Sequence, residues 1–373
     1  MPKKLALIKS APTPVALLAD VRHLIVATRE GVARAVNTGL VSLYWQIGRR
    51  IREDILKSKR AAYGEEILPT LSAKLVVEFG RGFSARNLAN MVRFAEVFSD
   101  PKILQALTAK LTWTHFTLLI PIEDQLKREF YAEMCRIELW NTRTLNKKIG
   151  SMLFERTALS RKPAKLAEME IKKLREEDKL TPDLVFRDPY ILDFLGLKDT
   201  YAEKDIEAAI LREMEAFILE LGVGFAFLAR QKRMQIGHKD YYLDLLFYHR
   251  KLRRLVAIDL KLGEFEAADK GQMELYLNWL KKHEQSSDEE EPLGIILCAG
   301  KDQEHVELLE MEKSGIHVAS YLTKMLPKKE LERKLHQAVR LARLRLHNAS
   351  APDHPAKGQN KNAGMKNPGQ NPS

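Results

Sequence analysis

Three side chains in the stretch "YYLDLLFYHRKLRRLVAIDLKLGEF", Tyr241 to Phe265, have the types and spacing to do chemistry. Asp244 lies inside one apolar run, Asp259 lies inside another, and Lys261 follows two residues later. The stretch alternates like two strands joined by a tight turn, and successive side chains on a strand face opposite ways. On the first arm Leu243, Leu245 and Phe247 form one set, and Tyr242, Asp244, Leu246 and Tyr248 the other. On the second arm Val256, Ile258 and Leu260 oppose Leu255, Ala257, Asp259 and Lys261. This parity predicts one wholly apolar face against the core, with both aspartates and the lysine on the opposite face. A turn symmetric about Lys251 and Leu252 sets Asp244 directly across from Asp259, their Cβ atoms ~4.5–5.5 Å apart. Carboxylates that close repel each other unless a cation lies between them. Mg²⁺ suits such a place, because it takes one or two carboxylates and completes its shell with waters and a phosphate; Mn²⁺ is the natural substitute. Lys261, pointing the same way, can stabilise developing phosphoryl charge or orient a water. A solvated hairpin face also carries Asp and Lys, and D-x-K recurs by chance. The aromatic and aliphatic neighbours of Asp244 argue against that alternative.

The flanking elements must position these groups. A helix predicted over Glu203–Leu221 carries an apolar stripe of Ile206, Ile210, Leu211, Met214, Phe217, Ile218 and Leu221, and Glu207 falls inside it. A carboxylate aimed into a helix–sheet interface is costly unless paired or bound to metal. Glu207 is therefore a candidate third acidic group, or else pairs with an arginine or snorkels at the helix's first turn. On the next helix, Lys270–Lys282, Gln272 and Tyr276 are four apart and share a face. They can contact a nucleic-acid backbone or position Lys261; Tyr276 can also simply pack on Trp279 or Leu280. "GFAFLARQKRMQIGHKDYY" sets Arg230, Gln231, Lys232 and Arg233 beside the acidic pair. Such a basic rim can hold a phosphodiester strand, or be a solvated edge.

From Tyr201 to Leu326 predicted strands alternate with helices, which indicates an α/β sheet covered on both faces. Residues 15–155 read as helical. There "GRG" makes a sharp turn, Ser84 is the N-cap of a helix beginning at Ala85, and Leu88, Met91, Val92 and Ala95 form its inner side. Arg86, Asn90 and Arg93 form the outer side. The combination fits a helix-turn-helix reading head, with later helices closing a winged arrangement; an ordinary bundle helix is the alternative. Residues 156–200 read as a charged linker and lead-in, 327–346 as a C-terminal helix, and 347–373 as a disordered tail. The net charge of +11 makes a polyanion the first partner to consider. No apolar run reaches the ~18 residues that span a bilayer, so a membrane is not expected as partner. Lys9, Pro12 and Pro14 break up any signal peptide, and two distant cysteines suit a reducing, cytoplasmic setting. Self-association as a homodimer stays open.

Helix, strand with Asp, hairpin, (D/E)-x-K, then a helix with Q-x-x-x-Y resembles the PD-(D/E)XK nuclease superfamily. More closely, "ELGVGFAFLARQ", "YYLDLLFYHRKLR" and "IDLKLGEF" resemble the YhcG-type (DUF1016) family of bacterial nucleases. "LYWQIGRRI", "YGEEILPTLSAKL" and "GFSARNLANMVRF" are similar to that family's N-terminal domain. The resemblance implies a restriction-endonuclease-like domain with a mixed central sheet behind a helical DNA- or partner-binding domain. It implies Mg²⁺-dependent cleavage, with Asp244, Asp259 and Glu207 as metal-binding acids, Lys261 as the motif lysine, and Gln272 and Tyr276 from the helix after the motif. Asp259 departs from the wider superfamily, where Glu is more frequent.

The expected function is Mg²⁺-dependent hydrolysis of DNA, as an endonuclease rather than an exonuclease. Arg86, Asn90, Arg93, Arg230, Gln231 and Lys232 would contact nucleic acid. Two alternatives are a non-catalytic DNA-binding or regulatory subunit on a nuclease scaffold, and an RNA-acting nuclease in defence or as a toxin.

Overall fold

The computed structural model describes residues 14–58, 61–197, 202–324 and 326–349. The chain opens with a 45-residue helix, α1 (Pro14–Ser58), followed by α2 (Ala61–Phe79) and α3 (Ala85–Val97). Shorter helices follow: α4 (Pro101–Thr108), α5 (Trp113–Leu119), α6 (Gln125–Glu138), α7 (Thr142–Gly150) and α8 (Leu153–Arg156). The C-terminal half of α1 packs on α3 through Tyr44, Ile51, Leu88 and Met91. Gly48 makes that crossing possible: a Cβ there would lie 1.8 Å from the Met91 carbonyl oxygen. The "GRG" segment is a 3₁₀ turn, Arg81–Phe83, entered through Gly80 at φ +88°, a conformation that favours glycine. Ser84 takes the N-cap position of α3, but its hydroxyl makes no capping bond. Leu88, Met91 and Ala95 are buried, as is Phe94. No strand precedes Thr157 among the described residues, so the expected wing is not there. "LTWTHFTLLI" instead forms α5, with the Thr112 hydroxyl and backbone N–H both on the Nδ1 of His115.

The charged segment after residue 156 folds against the helical region. In α9 (Ala164–Glu177), Ala167, Ile171 and Leu174 are buried at the four- and three-residue steps of one helix face. Arg175 pairs with Glu129 and Glu133 of α6, and Arg136 of α6 pairs with Asp178. These ion pairs use the charges that make the segment look solvated. A single turn, α10 (Pro182–Val185), leads into the sheet.

The sheet has six strands: β1 (Tyr190–Ile191), β2 (Phe225–Ile236), β3 (Lys239–His249), β4 (Arg254–Leu260), β5 (Leu293–Cys298) and β6 (Ile316–Leu322). Their order is β1-β6-β5-β4-β3-β2, antiparallel from β2 to β4 and parallel from β4 to β1. Two helices, α11 (Glu203–Arg212) and α12 (Met214–Leu221), cover one face; α13 (Ala267–His283) covers the other. A short α14 (Gln303–Leu308) precedes β6, and α15 (Lys328–Ala349) follows it. The tail expected from residue 347 thus begins inside α15, and from 350 onward lies outside the described residues, as do residues 1–13.

Two expectations need correction. The hairpin does not have one apolar and one polar face. Leu245, Phe247, Val256 and Ile258 pack toward α11 and α12, while Leu246, Leu255 and Ala257 pack toward α13. Both faces are covered, as parallel strands from β4 onward require. Strict parity also fails at Asp244, because Leu243 packs with Leu246 rather than with Leu245. Gln231, beside Asp244 on the neighbouring strand, has φ +44°, and a register shift lies between Phe227 and Ala229. These irregularities turn the strands locally.

Candidate active site

The β3–β4 ladder pairs Leu245 with Ile258 and Leu246 with Ala257. Continuing that register sets Asp244 opposite Asp259, at the point where the two strands part. Asp244 takes over there: its Oδ2 accepts the Leu260 N–H at 2.8 Å. Its Oδ1 accepts from the Gln231 side-chain amide at 2.9 Å, and the same amide nitrogen donates to Glu207 Oε2 at 3.0 Å. Gln231, though exposed, therefore stands between Glu207 and Asp244. Glu207 is half-buried on α11, turned to the site from the flank of the buried residues Ile206, Ala209 and Ile210.

Asp259 is 4% exposed. Its Oδ2 lies 2.9 Å from Lys261 Nζ, which is also 3.8 Å from Asp269 and donates to Gln272 Oε1 at 3.2 Å. Gln272 donates in turn to the Tyr276 hydroxyl at 2.6 Å, and Tyr276 to the Tyr242 carbonyl at 3.2 Å. A chain of contacts thus runs from the acidic pair through Lys261 into α13, ending on a buried tyrosine.

The electrostatics follow from this packing. Burial pushes the Asp259 carboxyl up to about 6; Lys261 opposes the shift, while Asp244 and Asp269 add to it. Burial also raises Asp244, against the Leu260 N–H and the Gln231 amide that favour its charged form. Burial works against the Lys261 ammonium, but Asp259, Asp269 and Glu203 outweigh it and hold its pKa above the ordinary lysine value. Two neighbouring carboxylates that resist ionisation together are what a cation would relieve. Their all-oxygen donor set suits a hard ion such as Mg²⁺, with waters and substrate oxygens completing the shell. Among the described residues, no three His, Cys, Asp or Glu side chains converge on one cation position. Glu207 is set apart from the pair by Gln231.

The remaining predicted residues lie elsewhere. Arg230 is exposed on β2, Lys232 pairs with Glu284 at 2.8 Å and Arg233 with Asp240 at 3.0 Å. Arg86 and Arg93 are exposed and Asn90 half-buried on α3, which packs on α1 and α2. Two acids next to Lys261 escape a sequence reading. Asp269 occupies the third position of α13 and accepts the Glu266 N–H at 2.9 Å, an E-x-x-D pattern that reads as a capping box. Glu203, in the first turn of α11, accepts the Leu262 N–H at 3.1 Å; nothing in its sequence setting marks it.

Comparison with known proteins gives this geometry its context. Residues 183–336 match the model of the YhcG PDDEXK nuclease domain, and residues 20–156 that of the DUF1016 N-terminal domain. A curated Escherichia coli (strain K12) protein named "Putative nuclease YhcG" is 35% identical over 309 residues, covering 75% of this chain and 82% of the relative. The chain belongs to the YhcG nuclease family. Its second domain is thereby of PD-(D/E)XK type, a group of nucleases that generally use divalent metals. Among solved structures, a repair endonuclease from Pyrococcus abyssi is 24% identical with a TM-score of 0.24, over 33% of this chain and 49% of that one. EndoMS, in a structure described as a complex with dsDNA, is 22% identical with a TM-score of 0.25, over 35% of this chain and 49% of that one. The chain spans about half the length of each. No helix among the described residues of this YhcG-family chain is long and apolar enough to cross a membrane.

Proposed function

We propose that this YhcG-family protein is an Mg²⁺-dependent endonuclease acting on DNA, with Mn²⁺ able to replace Mg²⁺. The observation that carries the reading is the buried Asp259 carboxylate paired with Lys261, with Asp244, bound to the Leu260 N–H, close enough to raise its pKa. Asp244 and Asp259 would hold the cation, with Glu207 reaching it if the Gln231 amide moves aside. When bound, the cation supplies positive charge at the scissile phosphate and lowers the pKa of the attacking water. The chain's own residues do the rest. Lys261, kept protonated by its acidic neighbours, neutralises charge on the phosphoryl oxygens. Gln272 and Tyr276 fix the direction of its ammonium. Arg230, exposed on β2 one residue before Gln231, would bind a phosphate of the incoming strand. Arg86, Asn90 and Arg93 offer a second, outward surface on α3, and we assign residues 15–155 the task of holding DNA while 201–326 cut it.

A substrate panel tests this reading. Purified protein with Mg²⁺ should cleave at least one of duplex, single-stranded, branched or hairpin DNA, and a chelator should abolish the reaction. Cleavage of RNA in preference to every DNA would redirect the assignment. Salt-sensitive DNA binding with no cleavage in Mg²⁺ or Mn²⁺ would make the protein a binding subunit.

A further inference from the structure

Lys261 stands between two carboxylates but is in contact with only one. Its Nζ lies 2.9 Å from Asp259 Oδ2 and 3.2 Å from Gln272 Oε1. Oδ1 of Asp269 is 3.8 Å from the same nitrogen, beyond hydrogen-bonding range. Asp269 and Gln272 are three apart on α13 and so share a face of it. The Asp269 side chain is 14% exposed, and its other oxygen, Oδ2, accepts the Glu266 N–H at 2.9 Å. The helix cap thus fixes this carboxylate through one oxygen and leaves the other turned to Lys261. We propose that Asp269 is a positioning residue for Lys261, receiving its ammonium when a divalent cation occupies Asp259.

Asp259 cannot serve both partners at full strength. It is 4% exposed, and Lys261 already lies against one of its two oxygens. Like charges within ~4–6 Å disfavour each other, so an ammonium left there opposes the arrival of a cation. Lys261 must then yield. Its side chain is only 22% exposed, and a charge so placed is costly once its carboxylate is lost. Asp269 supplies the replacement at the least displacement, with Gln272 beside it as the common acceptor. Glu203 is less suited, being exposed and holding the Leu262 N–H with its Oε1. Moved to Asp269, Lys261 leaves Asp259 to the cation and remains charged for the phosphate. This transfer rests on the cation site proposed above.

Calorimetric titration of the full chain with Mn²⁺ tests the transfer. Asp269→Asn removes the charge, while its amide oxygen can still accept the Glu266 N–H and keep the cap. The substitution should weaken Mn²⁺ binding by about fivefold, the upper worth of a partly exposed ion pair. In a Lys261→Met background, which has no ammonium to move, the same substitution should leave the affinity unchanged. In chelator, Asp269→Asn should unfold at the wild-type denaturant midpoint. A lowered midpoint together with wild-type Mn²⁺ affinity overturns the proposal and leaves Asp269 a helix cap. An equal loss of affinity with and without Lys261 also overturns it, because Asp269 would then act on the cation directly. Wild type that takes up no Mn²⁺ contradicts the cation site itself, and the transfer with it.

Discussion

Gln231 does more in this site than any other residue expected to touch nucleic acid. Its single amide nitrogen bonds Glu207 and Asp244 from a left-handed backbone position in the middle of a strand. Such positions cost free energy and gather at functional sites. Gln231→Asn keeps a residue that tolerates positive φ but shortens the amide by one methylene, so it cannot span both carboxylates. In chelator the variant should lose about 1 kcal/mol of unfolding free energy, the net worth of such hydrogen bonds. Saturating Mg²⁺ should shrink the difference, because a cation between the acids makes the donor redundant. An equal loss in both buffers, measured by denaturant unfolding, would mean that Gln231 has no link to cation binding. Residue types and the hairpin register made Asp244, Asp259 and Lys261 readable as one cluster, although strand parity failed at Asp244, and the four-residue helical step added Gln272 and Tyr276. Gln231 was readable only as a nucleic-acid contact on the basic rim, since its bond to both carboxylates depends on a strand irregularity that no residue type announces.

At the scale of elements, the strands of the hairpin are the most legible part, because β-branched and aromatic residues alternate there and the turn at Lys251 and Leu252 is short. The register held to the residue: Leu245 faces Ile258. The helix before them was harder. The pattern over Glu203–Leu221 reads as one continuous stripe with Glu220 at its edge. The structure breaks it at Glu213 into α11 and α12, which resets the phase and carries Glu220 inward. Glu220 there accepts from Arg156 at 2.5 Å, Arg187 at 3.1 Å and the Ile191 N–H at 2.9 Å. Both arginines are buried. Glu220→Ala leaves two guanidinium groups without their carboxylate and should cost about 3–5 kcal/mol, as breaking a buried pair does. Glu220→Gln, which keeps the acceptor, should cost less. A truncation that melts like wild type would show the network to be dispensable.

The whole molecule is more continuous than its two-part pattern suggests. One hydrophobic cluster runs from Val41 through the helices to Tyr321 on β6. The segment read as a linker supplies its polar fastening. Buried Asp188 binds Arg161 at 2.5 Å, Lys301 at 2.6 Å and the backbone and hydroxyl of Ser320, each at 3.0 Å. These partners lie up to 132 positions apart, beyond the reach of any local pattern. Lys301 and Arg161 outweigh the penalty of burial and hold the Asp188 carboxyl well below the usual range.

The same packing makes the fold acid-sensitive. Burial, aided by Lys251, lowers His249 to about 4; burial, aided by Lys301, does the same for His317. A histidine with a folded pKa below its unfolded value contributes stability that is fully present above about 6.5 and is lost as pH falls toward 4. His249 alone contributes about 3 kcal/mol on that scale. Asp188 acts lower: its depressed pKa contributes stability above the ordinary aspartate value, lost as pH falls further. Unfolding free energy should therefore drop between pH 7 and 5, and His249→Gln should flatten that slope. A slope unchanged by the substitution would assign the acid sensitivity to other groups.

In the proposed mechanism Asp244, Asp259 and Lys261 cut nucleic acid. Single-turnover cleavage of the preferred DNA substrate at saturating Mg²⁺ tests it most directly, comparing wild type with Asp244→Asn, Asp259→Asn and Lys261→Ala. Each variant should fall by about 10²-fold or more, the usual loss when an electrostatic catalytic group is removed, while DNA affinity in chelator stays within a few fold. Cleavage at the wild-type rate by these variants would contradict the account.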